Sequence, residues 1–424
     1  MPSIAVRNFG CRVNQAEAFA WADAFRERGL RLEMDCCRSD VVIVNSCTLT
    51  GRAERDVRKF IRAVHRGNPE GRVIVTGCYA ERAPAEIAAL AGVVSVLPQS
   101  AKPDLAGVVA GLDVRPVAAA PPGLEERRTE PSFRARGWLK IQDGCDNRCA
   151  YCIIPSVRGR SRSVPAADVE GSVRDLAGRG FREIVLAGIH LSSYGEDLEP
   201  RASLSSLLRE LSAAAGPARL RLSSLDPRKI DAALIAHVAG SEAICPHFHL
   251  SLQHASGRVL RAMGRPVEEG FYEAILQEMR RFAPDAALGA DLMVGFPGET
   301  EADFDEQRAL LDRSPLTYAH VFSYSPRPGT AAAERRPMVP AGVVTERAKS
   351  LRRLAALKDY SFRRRFVGRE LEAVVIHKSE DGAEVLTGNF ISVLVPACPA
   401  PERERVRVAI RQVLPRRTEG EVIA

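Results

Sequence analysis

Over residues 1 to about 100, short apolar runs alternate with stretches of helical spacing, the pattern of a parallel sheet flanked by helices. Runs at 4–8, 41–45 and 73–76 read as strands. The alternation resumes at 137 and continues to about 330. Strand-like runs lie at 138–142, 183–188, 219–223, 247–252, 288–295 and 319–324, with helical patterns such as 166–179, 231–239, 270–282 and 301–312 between them. This makes six strand–helix units in series, and the fold class is α/β. After Pro340 the pattern changes twice. Residues 346–369 are mostly helical and strongly basic, carrying Arg347, Lys349, Arg352, Arg353, Lys358, Arg363, Arg364, Arg365 and Arg369 against Glu346 and Asp359. From 366 onward the period falls to two, at 371–377, 384–387, 391–395 and 406–413, with turn residues at Gly382 and Gly388-Asn389, so a small antiparallel β-barrel is expected.

Composition adds the boundaries. A chain of 424 residues is too long for one ordinary core. Pro116, Pro121, Pro122, Gly123 and Pro131 mark a linker. The expected division is 1–115, a linker at 116–135, 136–340, a basic helical connector at 341–365, and 366–424. No apolar run approaches the 18 residues of a membrane span, and the N-terminus enters a strand pattern without a secretion signal, so a cytoplasmic protein with no membrane partner is expected. Ten cysteines in such a chain favour metal or redox chemistry over disulfides. The net charge of +7 suits a polyanionic partner, though excess arginine also serves solubility. The basic helix can contact phosphates or be a solvated face. The barrel can bind single-stranded RNA or cap the fold, and Phe390 is its one clear candidate for base stacking.

Two sets of cysteines stand out. Cys145, Cys149 and Cys152 form a C-x3-C-x2-C run just after the strand at 138–142. Three thiolates on one loop suit a four-iron cluster with one iron left open, whereas a zinc loop would need a distant fourth ligand. Cys11, Cys47 and Cys78 each follow one N-terminal strand. In a parallel sheet the carboxyl ends of the strands share an edge, so these three are expected to converge there, with Gly10 and Gly77 letting the backbone turn close to a bulky ligand. Buried thiols also favour strand ends simply as small apolar groups. Cys36, Cys37, Cys245 and Cys398 read as ordinary thiols.

The C-x3-C-x2-C loop with Tyr151 inside it resembles the signature of radical S-adenosylmethionine (SAM) enzymes. Taken with Cys11, Cys47, Cys78 and the terminal barrel, it resembles the methylthiotransferase family along nearly the whole chain. The segments at 188–195, 246–253 and 386–391 look most like the branch that adds a methylthio group to C2 of N6-threonylcarbamoyladenosine at position 37 of tRNA. Sibling branches act on isopentenyladenosine in tRNA and on an aspartate of a ribosomal protein.

The resemblance implies an incomplete (β/α)6 barrel at 136–340 and a terminal barrel like the RNA-binding TRAM domain. It implies two [4Fe-4S] clusters, one on Cys145, Cys149 and Cys152 that binds SAM, the other on Cys11, Cys47 and Cys78. It also implies SAM contacts from Tyr151 and from the strand ends at Gly188, Gln253, Met293 and Gly295, although glycines and polar residues there also serve as turn chemistry. The implied partners are a tRNA anticodon stem-loop and an electron donor such as flavodoxin or ferredoxin. His190, Ser192, Ser193 and Tyr194 form a suggestive loop for substrate. Both open irons must then face one cavity, so the N-terminal sheet is expected to dock its cysteine edge over the barrel mouth.

Overall fold

The computed structural model describes residues 3–111 and 135–423. Apart from residue 135, the expected linker at 116–135 lies outside the described residues.

The first sheet contains β1 (Ser3–Asn8), β2 (Arg31–Leu32), β3 (Val41–Ser46), β4 (Arg72–Gly77) and β5 (Val93–Val96) in the order β2-β1-β3-β4-β5, all parallel. Its central strands are near-continuous Val/Ile runs because both faces are covered. Val42, Val44, Val73 and Val75 pack under Val57, Ile61 and Val64 of the helix Gly51–Gly67. On the other face Ile4, Ile43 and Ile74 meet Ala18, Trp21 and Phe25 of the helix Arg12–Glu27.

That second helix is apolar on two sides. Val13, Ala16 and Phe19 belong to the largest core of the molecule, alongside Trp138, Ile141 and Ile184, and Phe19 meets Phe181 edge-on at 5.4 Å. One helix is therefore packed into the N-terminal sheet and the following sheet at once, which fixes the two relative to each other.

Next come β6 (Gly137–Asp143), β7 (Arg162–Ser163), β8 (Glu183–Gly188) and β9 (Arg219–Leu222), ordered β7-β6-β8-β9 with only β7 antiparallel. A parallel trio, β10 (His247–Gln253), β11 (Ala287–Val294) and β12 (Tyr318–Ser323), follows. Parallel bridges Leu220–Ile244 and Leu225–Leu250 connect the two sheets. Strand alternation sends Phe248, Leu250 and Leu252 into the core and turns His247, His249, Ser251 and Gln253 to the opposite face. On that face Gly289 leaves room for the Tyr318 ring, since a Cβ there would lie 2.0 Å from Cζ of Tyr318. Gly289→Ala is expected to displace Tyr318 and destabilise the protein by about 1–3 kcal/mol, the cost of overpacking, read as a lower urea midpoint.

The last strands, β13 (Glu370–Ser379), β14 (Gly382–Thr387), β15 (Ser392–Val395), β16 (Arg405–Leu414) and β17 (Arg417–Ile423), close into a ring ordered β13-β14-β15-β17-β16. The expected ring was wholly antiparallel, but β15 meets β17 in parallel. The sequence of β17, Arg-Thr-Glu-Gly-Glu-Val-Ile, hides it from a hydrophobic pattern: Thr418 and Gly420 are its inward positions.

The structure gives two of the groups considered for RNA contact partners inside the protein. The basic run is largely engaged within the protein. Arg347 pairs with Glu299 (2.7 Å) and Glu301 (2.8 Å), Lys358 donates to the carbonyls of Asp312 and Ser314, and Arg365 and Arg369 meet Asp285. Arg363 is buried and donates to the carbonyls of Leu414, Pro415 and Arg417. The helix Ala341–Arg364 is thus a joint between the ring and the preceding sheets. Phe390 is half-buried. It stacks on His247 at 4.4 Å beneath the Arg221 guanidinium, seating the ring against β9 and β10.

Candidate functional site

β1, β3 and β4 are adjacent and parallel, so the residues that follow them gather at one edge. Cys11 caps the helix Arg12–Glu27, Cys47 follows β3, and Cys78 opens the helix Cys78–Arg82. The three thiols lie within electrostatic reach of one another. Gly10 makes the approach possible: it has φ +116°, and a Cβ on it would lie 2.8 Å from Cβ of Cys47. Burial raises the pKa of Cys11 and pushes Cys47 up to about 12, against the opposing pull of Arg158. Such thiols keep their protons until a metal supplies the compensating charge.

Cys145, Cys149 and Cys152 occupy the loop after β6. Gln142, buried at the end of that strand, fixes the start of the loop by donating from Nε2 to the carbonyls of Asp143 (3.0 Å) and Gly144 (2.9 Å). The Cys145 N–H reaches the Gly159 carbonyl (3.1 Å) and the Ala150 N–H the Met263 carbonyl (2.9 Å). Burial raises Cys145 and pushes Cys152 up to about 12.

The two sets meet. Cys78, Ile153, Ile154 and Val157 form one buried apolar patch, and Cys145, Cys152 and Ile189 pack against it. Arg158 ends the short helix Ile154–Arg158 and is buried. It donates to Sγ of Cys78 (3.2 Å), Oδ1 of Asn14 (2.7 Å), Oε1 of Glu17 (3.0 Å) and Oδ1 of Asp143 (2.9 Å). Although burial alone would raise Glu17, the cations Lys102, Arg158 and Lys140 hold it well below the ordinary carboxylate range.

Three thiols per site fit a cluster better than a single zinc. Among the described residues, the one group of His, Cys, Asp or Glu whose ligand atoms all lie within 4.8 Å of one another is His249, Asp291 and His320. A tetrahedral zinc with bonds of about 2.3 Å would draw its sulfurs to about 3.8 Å apart, and neither thiol triplet is that tight.

The expected SAM contacts lie as follows. Tyr151 is half-buried in the cysteine loop, its pKa raised by burial and by the neighbouring Cys149. Gly188 ends β8, with its N–H 3.3 Å from Oγ of Ser223. Gln253 has φ +72° and its buried Oε1 has no hydrogen-bond partner among the described residues. Met293 is buried on the adjoining strand end, its carbonyl accepting from Gln307. Gly295 is held differently: its N–H donates to Oε2 of Glu299 (2.7 Å), and its Cα faces Val344 of the long C-terminal helix.

In the suggestive loop, Ser192 accepts from the Asp226 N–H and Tyr194 donates to the Val164 carbonyl, both structural bonds. His190 instead lies 3.3 Å from Asn147 of the cysteine loop and 3.3 Å from Asp226. Asp226 also binds Arg228 (2.7 Å) and Arg265 (3.1 Å), and Arg265 reaches Sγ of Cys149 (3.8 Å). Sequence reasoning missed Arg158, Asp226, Arg265 and the His249–Asp291–His320 group. Only the last carried a signal: histidines at alternate positions in an otherwise apolar strand.

Residues 3–98 match the uncharacterized protein family UPF0004, and residues 139–311 match the Radical SAM superfamily. The threonylcarbamoyladenosine tRNA methylthiotransferase MtaB of Aquifex aeolicus is 34% identical over 398 residues, covering 92% of this chain and 96% of that protein. The chain belongs to the radical SAM methylthiotransferase family. Within that family, the ribosomal protein uS12 methylthiotransferase RimO of Anaeromyxobacter sp. (strain K) is 32% identical over 393 residues, covering 91% and 84%. In fold alone, the methylthiotransferase chain resembles the radical SAM methyltransferase TsrM from Kitasatospora setae, with a TM-score of 0.57 and 15% identity over 78% and 77% of the two chains. Its radical SAM match implies a [4Fe-4S] cluster and SAM. No helix among the described residues is long and apolar enough to cross a membrane.

Proposed function

We propose that this methylthiotransferase modifies tRNA, converting N6-threonylcarbamoyladenosine at position 37 to its 2-methylthio derivative. Cys145, Cys149 and Cys152 hold the cluster that binds SAM, and Cys11, Cys47 and Cys78 hold a second one. The observation that supports the reading is the common apolar patch in which Cys78 of one triplet lies beside Cys145 and Cys152 of the other. Similarity to MtaB proteins supports the tRNA substrate. Loaded with its clusters and SAM, such a site supplies one-electron chemistry able to break an unactivated C–H bond and a sulfur donor for the carbon so opened. C2 of an adenine, with neither an acidic proton nor a leaving group, needs that chemistry because acid–base side chains alone offer it no route.

The protein's own contribution is positioning. Ile153, Ile154 and Val157 exclude water between the triplets, and Arg158 supplies a fixed positive charge beside Cys78. Tyr151, Gly188, Gln253, Met293 and Gly295 are the residues assigned to SAM, of which Gln253 offers an Oε1 with no hydrogen-bond partner among the described residues. Residues 1–115 form the domain with the second cluster, 136–340 a partial (β/α)6 barrel, 341–365 the connector and 366–424 a TRAM-like RNA-binding barrel. A flavodoxin or ferredoxin delivers the electron, and the protein works in the cytoplasm.

Mass spectrometry of tRNA nucleosides from cells lacking the gene tests the reading. The 2-methylthio derivative of N6-threonylcarbamoyladenosine is expected to disappear while its precursor accumulates. Loss of 2-methylthio-isopentenyladenosine, or of the methylthio group on a ribosomal protein aspartate, would refute the assignment.

A further inference from the structure

Arg12, next to Cys11, is half-buried, and among the described residues its side chain makes one hydrogen bond, a long one (3.4 Å) from Nη1 to the Leu222 carbonyl. No carboxylate lies within ion-pair distance of it among the described residues. Tyr318, Asp291 and His249, on the polar side of β10–β12, lie within its electrostatic reach, as do the cations Arg221 and Arg136. On that side Asp291 and His320 are strand partners, and Asp291 lies 3.1 Å from Nε2 of His249 and 3.5 Å from Nδ1 of His320. Tyr318 bonds Nδ1 of His249 (3.0 Å) and Nε2 of His247 (2.7 Å), so the rings on this wall are fixed. His320 is exposed and opens onto a groove of about 440 Å³ that Arg416 and Arg417 also line.

A guanidinium held partly out of bulk water with no carboxylate in ion-pair contact is less favourable than one that a ligand pairs directly. Its planar fork suits a carboxylate. The substrate proposed above has one: its N6 group ends in a threonine carboxylate, with a ureido N–H and a hydroxyl beside it. An isopentenyl group has none of these.

We propose that Arg12 anchors the carboxylate of the substrate's threonyl group, and that Asp291 and His320 form the polar wall receiving its ureido N–H and hydroxyl. Asp291 suits the acceptor role. Burial would raise its pKa, but hydrogen bonds from His249 and His320 keep it ionised. This inference rests on the tRNA reading of the site and names the part of the site that selects the modified base.

Binding of anticodon stem-loops to the anaerobically reconstituted protein, by fluorescence anisotropy without SAM, tests it. Three RNAs are compared: one with N6-threonylcarbamoyladenosine at position 37, one with its methyl ester, and one with plain adenosine. The wild-type protein is expected to bind the acid about 10- to 100-fold more tightly than the ester, the range for a hydrogen-bonded charge. Arg12→Gln should bring that ratio close to one, and Arg12→Lys should keep part of it. Because the ratio compares two RNAs on one preparation, a partly misfolded variant does not distort it. A full acid-over-ester ratio in Arg12→Gln would overturn the subsite, and so would equal binding of acid and ester by the wild type. If the wild type does not prefer the modified stem-loop over plain adenosine, or instead binds an aspartate-containing ribosomal-protein peptide, the tRNA reading itself fails.

Discussion

Cys47→Ala protein, reconstituted anaerobically, is expected to cleave SAM at close to the wild-type rate and to yield no methylthiolated nucleoside. Cys149→Ala is expected to stop both. The contrast follows from where the two thiols sit. Cys149 is on the loop after β6, beside Tyr151 and Arg265, and removing it takes one of three donors from the SAM-binding cluster. Cys47 lies against Gly10, within electrostatic reach of Cys11 and Cys78, and belongs to the other triplet. Each variant should lose iron and sulfide equal to one cluster. Product should fall by more than about 100-fold in both, since even a ligand's hydrogen-bonding partner can matter that much. The check is iron and sulfide per chain, with 5'-deoxyadenosine and modified nucleoside measured in the same reactions. Normal product from Cys47→Ala would remove the second site from the reaction. Unchanged SAM cleavage by Cys149→Ala would remove the first.

The convergence of Cys11, Cys47 and Cys78 could be read before any coordinates, because each follows a Val/Ile-rich strand and parallel strands put their carboxyl ends together. What joins the two cysteine sets could not. Arg158 looks in sequence like any arginine after a short loop, and Glu17 like a polar residue in an amphipathic helix. Their pairing depends on the helix Arg12–Glu27 being packed on two sides, which a single-face hydrophobic pattern does not reveal. The basic segment misled for a related reason. Charge density along a sequence says nothing of partners, and Asp285, Glu299 and the carbonyls around Pro415 are far from it in the chain. Reversing Arg363, Arg364 and Arg365 would therefore break the joint with the terminal ring as well as alter any RNA contact. The strand β17 escaped because its inward side is Thr and Gly, with little apolar surface to read.

Arg158→Met is expected to destabilise the protein by about 3–5 kcal/mol, the usual cost of removing one member of a buried charge group. Four polar partners would lose a donor at once: Cys78, Asn14, Glu17 and Asp143. Glu17 would keep Lys102 (2.6 Å) and Lys140 (3.2 Å), so its carboxylate would not be stranded, but Asn14 and Cys78 would lose the hydrogen bonds they accept from the guanidinium. The sign of the pH dependence follows from the carboxyls. Burial raises both Glu17 and Asp143, yet the surrounding cations hold each below its ordinary value in the folded protein. Their contribution to stability is therefore present above the ordinary carboxylate pKa of about 4 and is lost as the pH falls through and below it. Without Arg158 less of that contribution exists to lose. The gap in unfolding free energy between wild type and Arg158→Met should be widest near neutral pH and narrow as the pH drops below about 5. Urea unfolding of the reduced proteins across that range measures it. A gap that stays constant with pH would show that Arg158 acts through packing and not through its charge, and that the link between the two cysteine sites is apolar alone.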